Sequence, residues 1–440
     1  MPRRPYGSLG LGGVVDLYGY CVRPRPETQI ALAHPSGFLL RCGGALPSFS
    51  LAQAGCLMRL FVSAGEPSGD LHGASLIAAL RRRDPAIDLH GFGGDRMEDA
   101  GCRIHYPLTD LAGVGFLRVL SSIPRVPGIL KLANRLFGEL RPDALVLIDF
   151  PAFHWWLAKC AKKHGVPVVW FVPPQLWAWA SWRVKWMRRL ADHVLCTLPF
   201  EEEWYRQRGV ASHYIGHPYF DELHGRPLDE GFLAAQRARP GTVIALLPGS
   251  RRQEIKHNLS PIIKAARILY ARRPDVRFLV ACLRSEHARN VEERLRGETL
   301  PIEVHAGRTT EIIHLAHSAI AKSGSVSLEM LYHGTPAVVV YQVPLAEEML
   351  ARLIVKCKYY SLVNLLLDKP LFPEYLGARL PAEKIAGSVL RWLEDPAAYG
   401  AVKGELAALR ERVAIPGACD RAAEVVLKAV GGTRRARRAG

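Results

Sequence analysis

The sequence predicts an α/β protein made of two doubly wound, Rossmann-like halves that face each other across a cleft. Three observations predict it. Short β-branched runs alternate with amphipathic stretches from Met58 onward, and the alternation restarts at Thr242 after a polar, proline-containing passage. Each half also leaves its first strand through a glycine turn, VSAGEPSGDLHG at 62–73 and ALLPGSRRQEIKHN at 245–258. Strands that alternate with helical stretches give a parallel sheet with helices on its faces. At 440 residues the chain exceeds what one core usually supports, so two units of ordinary size are expected.

Taken in order, residues 1–57 lack the pattern and are read as a disordered or non-native extension, with Met58 as the natural start. Their apolar stretch is broken by Gly10, Gly12 and Gly13 and makes a poor signal peptide. Residues 58–220 form the first half, with strands expected at 60–64, 87–91, 144–149, 166–172, 193–198 and 213–216, and helices at 73–83, 125–140, 153–164 and 200–208. The passage at 216–241 reads as a linker. The second half, 221–380, has strands expected at 242–247, 276–282, 302–305, 318–322 and 337–341. Residues 381–440 supply closing helices and a basic end, TRRARRAG. Ligands of open sheets bind beyond the carboxyl ends of the strands, so the cleft between the halves is the expected site.

Apolar residues make up 49% and charged residues 22%, which suits folded cores. The formal charge of +17 favours an anionic partner, whether nucleic acid, a phosphorylated substrate or an acidic membrane surface. The nine cysteines lie far apart, Cys42 and Cys56 being the nearest pair, so no CxxC zinc or redox motif exists. No run of about 20 apolar residues occurs, the length a spanning helix needs, so a soluble or peripheral protein is expected.

The turn Pro248-Gly249-Ser250 leads into Arg251 and Arg252 at a helix start, where free backbone N–H groups and the helix dipole favour a phosphate; the plainer reading is a solvated basic helix start. In AKSGSVSLEMLYHGTPAVVV (321–340), Gly324 and Ser325 form a strand-to-helix turn and Glu329 falls on the same helical face as Ser325. Turn N–H groups there suit a pyrophosphate and the carboxylate suits two ribose hydroxyls, although Glu329 alone could equally be a capping or surface acid. In ALVLIDFPAFH (144–154) the strand ends at Asp149, placed to act as a general base or, more plainly, as a helix N-cap.

Two stretches pair bulky apolar groups with cations, the composition of an interfacial anchor. One, 113–137, carries Val114, Phe116, Leu117, Arg118, Val119 and Leu120; the other, 172–190, carries Trp177, Trp179, Trp182 and Trp186 beside Arg183, Lys185, Arg188 and Arg189. Core filling is the competing reading for these aromatics. The acidic turn at 62–73 has no phosphate to hold if the basic turn holds it. Asp70 or Ser68 is then expected to cap a helix starting near Leu71, leaving Glu66 to bind sugar hydroxyls or assist Asp149. GxxxxGK[ST], HExxH, GxSxG and acidic DxD motifs are all missing, and GFGGDR (91–96) matches a dinucleotide fingerprint only in part.

SAGEPSGDLHGA (63–74), LIDFPAFH (147–154), VPPQLWAW (172–179), LPFEEEWY (198–205), YIGHP (214–218), LLPGSRRQEI (246–255), SGSVSLE (323–329) and SLVNLL (361–366) occur in one order. This series resembles the lipid-A-disaccharide synthases, inverting glycosyltransferases of the two-domain B fold, over residues 58–430. The resemblance implies transfer of 2,3-diacylglucosamine from UDP-2,3-diacylglucosamine to the 6-hydroxyl of 2,3-diacylglucosamine 1-phosphate. It implies action at the cytoplasmic face of the inner membrane, with no metal or other cofactor and no nucleic acid; a homo-oligomer is left open. It assigns Asp149 as base, and Gly249, Ser250, Arg251, Gly324, Ser325, Glu329 and Asn364 as UDP contacts. It also makes Val114 to Leu120 the docking segment. The chain departs from the pattern at Ala152, where a second acid is usual, at Gln342, where a cation follows the tyrosine, and at Gly377, where glutamine is usual. Competing readings are another UDP-sugar enzyme of the same fold, such as a UDP-N-acetylglucosamine epimerase or a peptidoglycan-precursor transferase, and a non-enzymatic basic RNA- or membrane-binding protein.

Overall fold

The computed structural model describes residues 57–109, 123–355 and 357–439. Two all-parallel sheets form. The first has strands β1 (Arg59–Ala64), β2 (Asp88–Gly93), β3 (Arg103–Pro107), β4 (Ala144–Ile148), β5 (Val168–Phe171), β6 (His193–Cys196) and β7 (Ser212–Tyr214), in the order β3-β2-β1-β4-β5-β6-β7. The second has β8 (Thr242–Leu247), β9 (Val276–Cys282), β10 (Ile302–Ala306), β11 (Ser318–Lys322), β12 (Ala337–Gln342) and β13 (Glu374–Gly377), in the order β10-β9-β8-β11-β12-β13. The order reverses between β1 and β4 in one sheet and between β8 and β11 in the other. Crevices open at the carboxyl ends of such pairs.

The central strands are apolar on both faces because helices cover both. Side chains alternate along a strand. Phe61, Leu145, Leu147 and Trp170 therefore pack one way, with Ile129 and Phe137 of the helix Val126–Leu140. Leu60, Val62, Val146 and Ile148 pack the other way, with Leu76 and Leu80 of the helix Pro67–Arg83.

Four features differ from the sequence-based expectation. The edge strands β3 and β13 were not anticipated; RIHYP and EYLG are short and only half-buried, and their composition carries no alternation. The supposed linker holds two helices, Pro218–Gly225 and Glu230–Arg237, masked by its prolines and glycines. His217 caps the first by accepting from the Tyr219 N–H at 3.2 Å, and Asp229 caps the second by accepting from the Phe232 N–H at 2.9 Å. The closing helices also divide between the sheets. Ile385 and Val389 of the helix Ala382–Glu394 join the second core, whereas Ala422, Val426 and Val430 of the helix Ala418–Ala439 return to the first.

The fourth difference concerns Asp70. The helix begins at Pro67, a residue preorganised for a first turn, and not near Leu71, and its cap position Glu66 makes no side-chain capping bond. Ser68 is exposed. Asp70 instead reaches across to the helix Asp95–Asp99, accepting from the N–H groups of Gly94 at 2.7 Å, Arg96 at 3.2 Å and Met97 at 3.4 Å. A carboxylate thus fills the anion position at the N-terminus that follows GFGGDR. Burial raises the Asp70 pKa, against the pull of those three N–H bonds.

Candidate active site

At the end of β4 the backbone turns through two consecutive left-handed residues, Asp149 at φ 48° and Phe150 at φ 46°. Such residues persist only where surrounding structure fixes them, and they gather at functional sites. Here the Asp149 N–H donates to the Phe171 carbonyl at 3.2 Å, and the Asp149 carbonyl accepts from His154 Nδ1 at 2.7 Å. Because Nδ1 carries the proton, Nε2 of His154 accepts, at 3.0 Å, from the hydroxyl of buried Ser63 on β1. Burial pushes the His154 pKa down to about 4, which keeps the ring neutral and this tautomer fixed.

The helix after β4 starts at Pro151 with Phe150 at its cap position, so Asp149 is not its N-cap. Burial pushes the Asp149 carboxyl up to about 6, with repulsion from Glu66 adding to the rise and the Phe150 N–H and His72 opposing it. Glu66 and Asp149, the acids expected to cooperate, are therefore close enough to feel each other. The packing behind them is tight: a methyl group on Gly65 would lie 2.1 Å from Phe150 Cδ1. Gly65 is thus a glycine for space, so that the β1 turn can meet the β4 turn.

In the second sheet the basic turn follows β8 as expected, with Gly249 at φ 131°. Its N–H groups are not free. Glu254 Oε2 accepts from the Ser250 N–H at 3.0 Å and the Arg251 N–H at 3.3 Å, while Oε1 lies 2.9 Å from Lys322 Nζ. Burial alone would raise the Glu254 pKa, but Lys322 and these bonds bring it below the usual range. Arg251 projects outward, its guanidinium 4.0 Å from the same carboxylate. The sequence signal for this was the glutamate three residues past Arg251, the spacing of a capping box.

Ser325 is exposed at the cap position of the helix Val326–His333, beside Gly324, whereas Glu329 is buried and does not share an exposed face with it. Thr310 Oγ1 donates to Glu329 at 2.6 Å and the Tyr219 hydroxyl at 2.7 Å; burial raises its pKa against both. Asn364 turns inward. It is fully buried, its amide nitrogen donates to the Phe372 carbonyl at 2.8 Å and to Glu374 Oε1 at 2.9 Å, and its oxygen accepts from the Phe372 N–H at 2.8 Å. The side chain fastens the loop before β13, both hydrogens of its amide being used within the chain.

The helix Pro218–Gly225 joins the two centres. Its Tyr219 holds Glu329, and its Glu222 carboxylate lies 2.8 Å from Nδ1 of His72, the residue that opposes the rise at Asp149. Its Asp221 accepts from the N–H groups of Gly417, Ala418 and Cys419, fixing the start of the last helix. The sequence reading missed this bridge, although the cap-and-proline pair His217-Pro218 signalled a helix start.

The docking residues Val114, Phe116, Leu117, Arg118, Val119 and Leu120 lie outside the described residues. Of the tryptophans, Trp177 turns inward and donates from Nε1 to buried Glu201 at 3.0 Å. Trp179, Trp182 and Trp186 are exposed, as is Trp156.

Two parallel sheets, each with a switch point between its central strands, define a two-domain α/β class. Solved structures agree: UDP-N-acetylglucosamine 2-epimerase from Neisseria meningitidis, bound to UDP-GlcNAc, matches with TM-score 0.57 at 13% identity over 84% of this chain and 100% of its own. Phytolacca americana UGT2, complexed with UDP-2fluoro-glucose and pterostilbene, matches with TM-score 0.52 at 13% identity over 84% and 99%. The chain belongs to the lipid-A-disaccharide synthetase family, whose model matches residues 60–411. The lipid-A-disaccharide synthase of Anaeromyxobacter dehalogenans (strain 2CP-1 / ATCC BAA-258) is 37% identical over 370 residues, covering 84% of this chain and 97% of that protein. The one from Myxococcus xanthus (strain DK1622) is 37% identical over 374 residues, with the same coverage.

Proposed function

We propose that this chain forms the lipid A disaccharide, moving 2,3-diacylglucosamine from UDP to the 6-hydroxyl of 2,3-diacylglucosamine 1-phosphate. The single observation that carries the mechanism is Asp149: a carboxyl with a pKa of about 6, clamped at the end of β4. Near neutral pH it is ionised yet basic enough to take a proton. Asp149 removes the proton from the acceptor hydroxyl, whose oxygen attacks the anomeric carbon. The bond from that carbon to the diphosphate oxygen breaks, and the electron pair leaves with UDP. One displacement inverts the centre.

On this reading Gly249, Ser250, Arg251, Gly324 and Ser325 surround the diphosphate and Glu329 takes the ribose. Thr310 and Tyr219 now hold Glu329, so the ribose hydroxyls replace one of them as donors. Glu66 faces the acceptor. Purified protein in detergent, given UDP-2,3-diacylglucosamine and 2,3-diacylglucosamine 1-phosphate, is expected to release UDP and disaccharide in equal amounts. C2 epimerisation of UDP-N-acetylglucosamine supplied to the same protein, with no disaccharide from the lipid substrates, would instead support the epimerase reading.

The substrates are lipids, and the partner surface of this reading is the cytoplasmic face of the inner membrane. Among the described residues no helix is long and apolar enough to cross a membrane. What supports docking is the face built from the helices Pro151–Lys163, Leu176–Trp179 and Val184–Leu190. From Pro151 to Leu190 the chain has seven lysines and arginines and no aspartate or glutamate. Trp156 and Trp182 are 52% and 59% exposed. Arg183 stacks 5.0 Å from the rings of both Trp179 and Trp182, and Lys159 lies 4.5 Å from that of Trp156. Each cation near anionic lipid contributes about 1 kcal/mol, enough together for reversible docking. Trp182→Ala with Trp186→Ala is expected to reduce cosedimentation with phosphatidylglycerol-containing vesicles at least tenfold while the affinity for UDP stays unchanged. Undiminished sedimentation would remove this face from the docking surface.

A further inference from the structure

At the carboxyl end of β11, Lys322 stands between the two turns that flank the second switch point. Its ammonium lies 2.9 Å from Glu254 Oε1 and 4.9 Å from the centre of the Tyr341 ring. A methyl group placed on Gly324 would lie 3.7 Å from the same nitrogen. Lys322 therefore touches the β8 turn through Glu254 and sits directly against the β11 turn. The neighbouring strand brings no cation to this point. Gln342, after Tyr341, donates from its N–H to Asn258 Oδ1 at 2.8 Å and from Nε2 to the Ala378 carbonyl at 2.8 Å.

We propose that Lys322 is the cation that meets the nucleotide's diphosphate, and that Glu254 is the internal anion that diphosphate displaces. The proposal rests on the reading that this cleft binds a UDP-sugar. Glu254 already shows what the position accepts: one carboxylate bridges the Ser250 and Arg251 N–H groups to an ammonium, the donor set that a phosphate oxygen would use. Without a ligand the cluster is closed on itself, so neither the turn N–H groups nor Lys322 is left unpaired in a partly buried site. Arg251 and Lys322 against Glu254 leave one net positive charge. Without Lys322 the Arg251–Glu254 pair would be neutral, and the cations left at the turn would be the outward, exposed Arg251 and Arg252.

The exchange predicts which ligand senses which residue. A diphosphate competes with Glu254; a nucleoside does not. UDP and uridine are titrated calorimetrically into the full chain and its variants. Lys322→Met is expected to weaken UDP binding about 10- to 100-fold, the value of one charge-assisted hydrogen bond, and to leave uridine binding unchanged. Lys322→Arg is expected to recover most of the loss. The double variant Lys322→Met with Glu254→Gln restores the net charge of the turn and removes the uncompensated carboxylate that could unsettle the single variant. Weak UDP binding in that double variant assigns a direct contact. Full recovery of UDP affinity there, or equal losses for UDP and uridine in Lys322→Met, would overturn the proposal. Wild-type protein that bound no UDP would sink the nucleotide reading itself, a result distinct from a wild type that binds UDP while Lys322→Met binds it equally well.

Discussion

Asp149→Asn lowers disaccharide formation about 100- to 10,000-fold, the range for losing a positioned general base, and leaves UDP affinity unchanged. The asparagine keeps the volume, and the backbone clamp from Phe171 and His154 uses only main-chain atoms of residue 149, so the turn keeps its shape. What disappears is the site that accepts the proton. In the wild type, kcat/KM is expected to rise tenfold per pH unit up to about pH 6 and then level off, because burial and Glu66 place the carboxyl there. The variant lacks that limb. Stability moves the other way. The folded pKa lies above the ordinary carboxyl value of 3.8, so the folded state holds the proton more tightly than the unfolded chain. That contribution is complete below 3.8 and is lost as pH rises through about 6. At neutral pH the ionised Asp149 weakens the fold, so the neutral asparagine should melt no lower than the wild type. A variant that melts normally, binds UDP and fails to turn over separates chemistry from folding; normal turnover would remove Asp149 from the base role.

How much of this was legible follows from what each signal depends on. Central strands such as β4 and β8 announce themselves because burial on both faces demands a near-continuous apolar run. Edge strands face that demand on part of their surface only, and β3 and β13 were missed for that reason. The place of Asp149 at a strand's carboxyl end was legible because the apolar run before it marks where β4 stops. The roles of Glu254, Asp70 and Asn364 were not legible, since each depends on a partner that only the fold supplies. Asp70 reads as a cap for its own helix and Glu254 carries no assigned role in the sequence, yet each fills a helix N-terminus with an internal anion. Asn364 sits in a motif where a ligand contact was expected, and the fold spends its amide on Phe372 and Glu374. The helix Pro218–Gly225 was hidden by its own capping chemistry: the prolines and glycines that start and stop a short helix also read as a linker.

Gly65→Ala is expected to cost about 100-fold in kcat, the order of loss when a reacting group is moved by an ångström, although the residue makes no contact with substrate. The added methyl would lie 2.1 Å from Phe150 Cδ1 and 2.4 Å from Cγ, well inside any tolerable separation. The obstacle is a ring and not the end of a flexible chain. Phe150 can escape only by turning about its own side-chain bonds or by moving the backbone it shares with Asp149. Turning is opposed by Phe153 and His154, whose rings lie 6.4 Å and 5.7 Å from it. Backbone movement is opposed by the left-handed pair, which has no neighbouring conformation to slide into. The strain therefore reaches the carboxylate, and the expected signature is a fall in kcat with little change in UDP affinity and a lowered melting temperature. Combining Gly65→Ala with Phe150→Leu opens the space and should return part of the rate. A single variant with wild-type kcat would show that Phe150 does not hold Asp149 in place. The glycine in the acidic turn then serves the base by absence: with no side chain of its own, it lets the end of β1 come close enough for Phe150 to lock the end of β4.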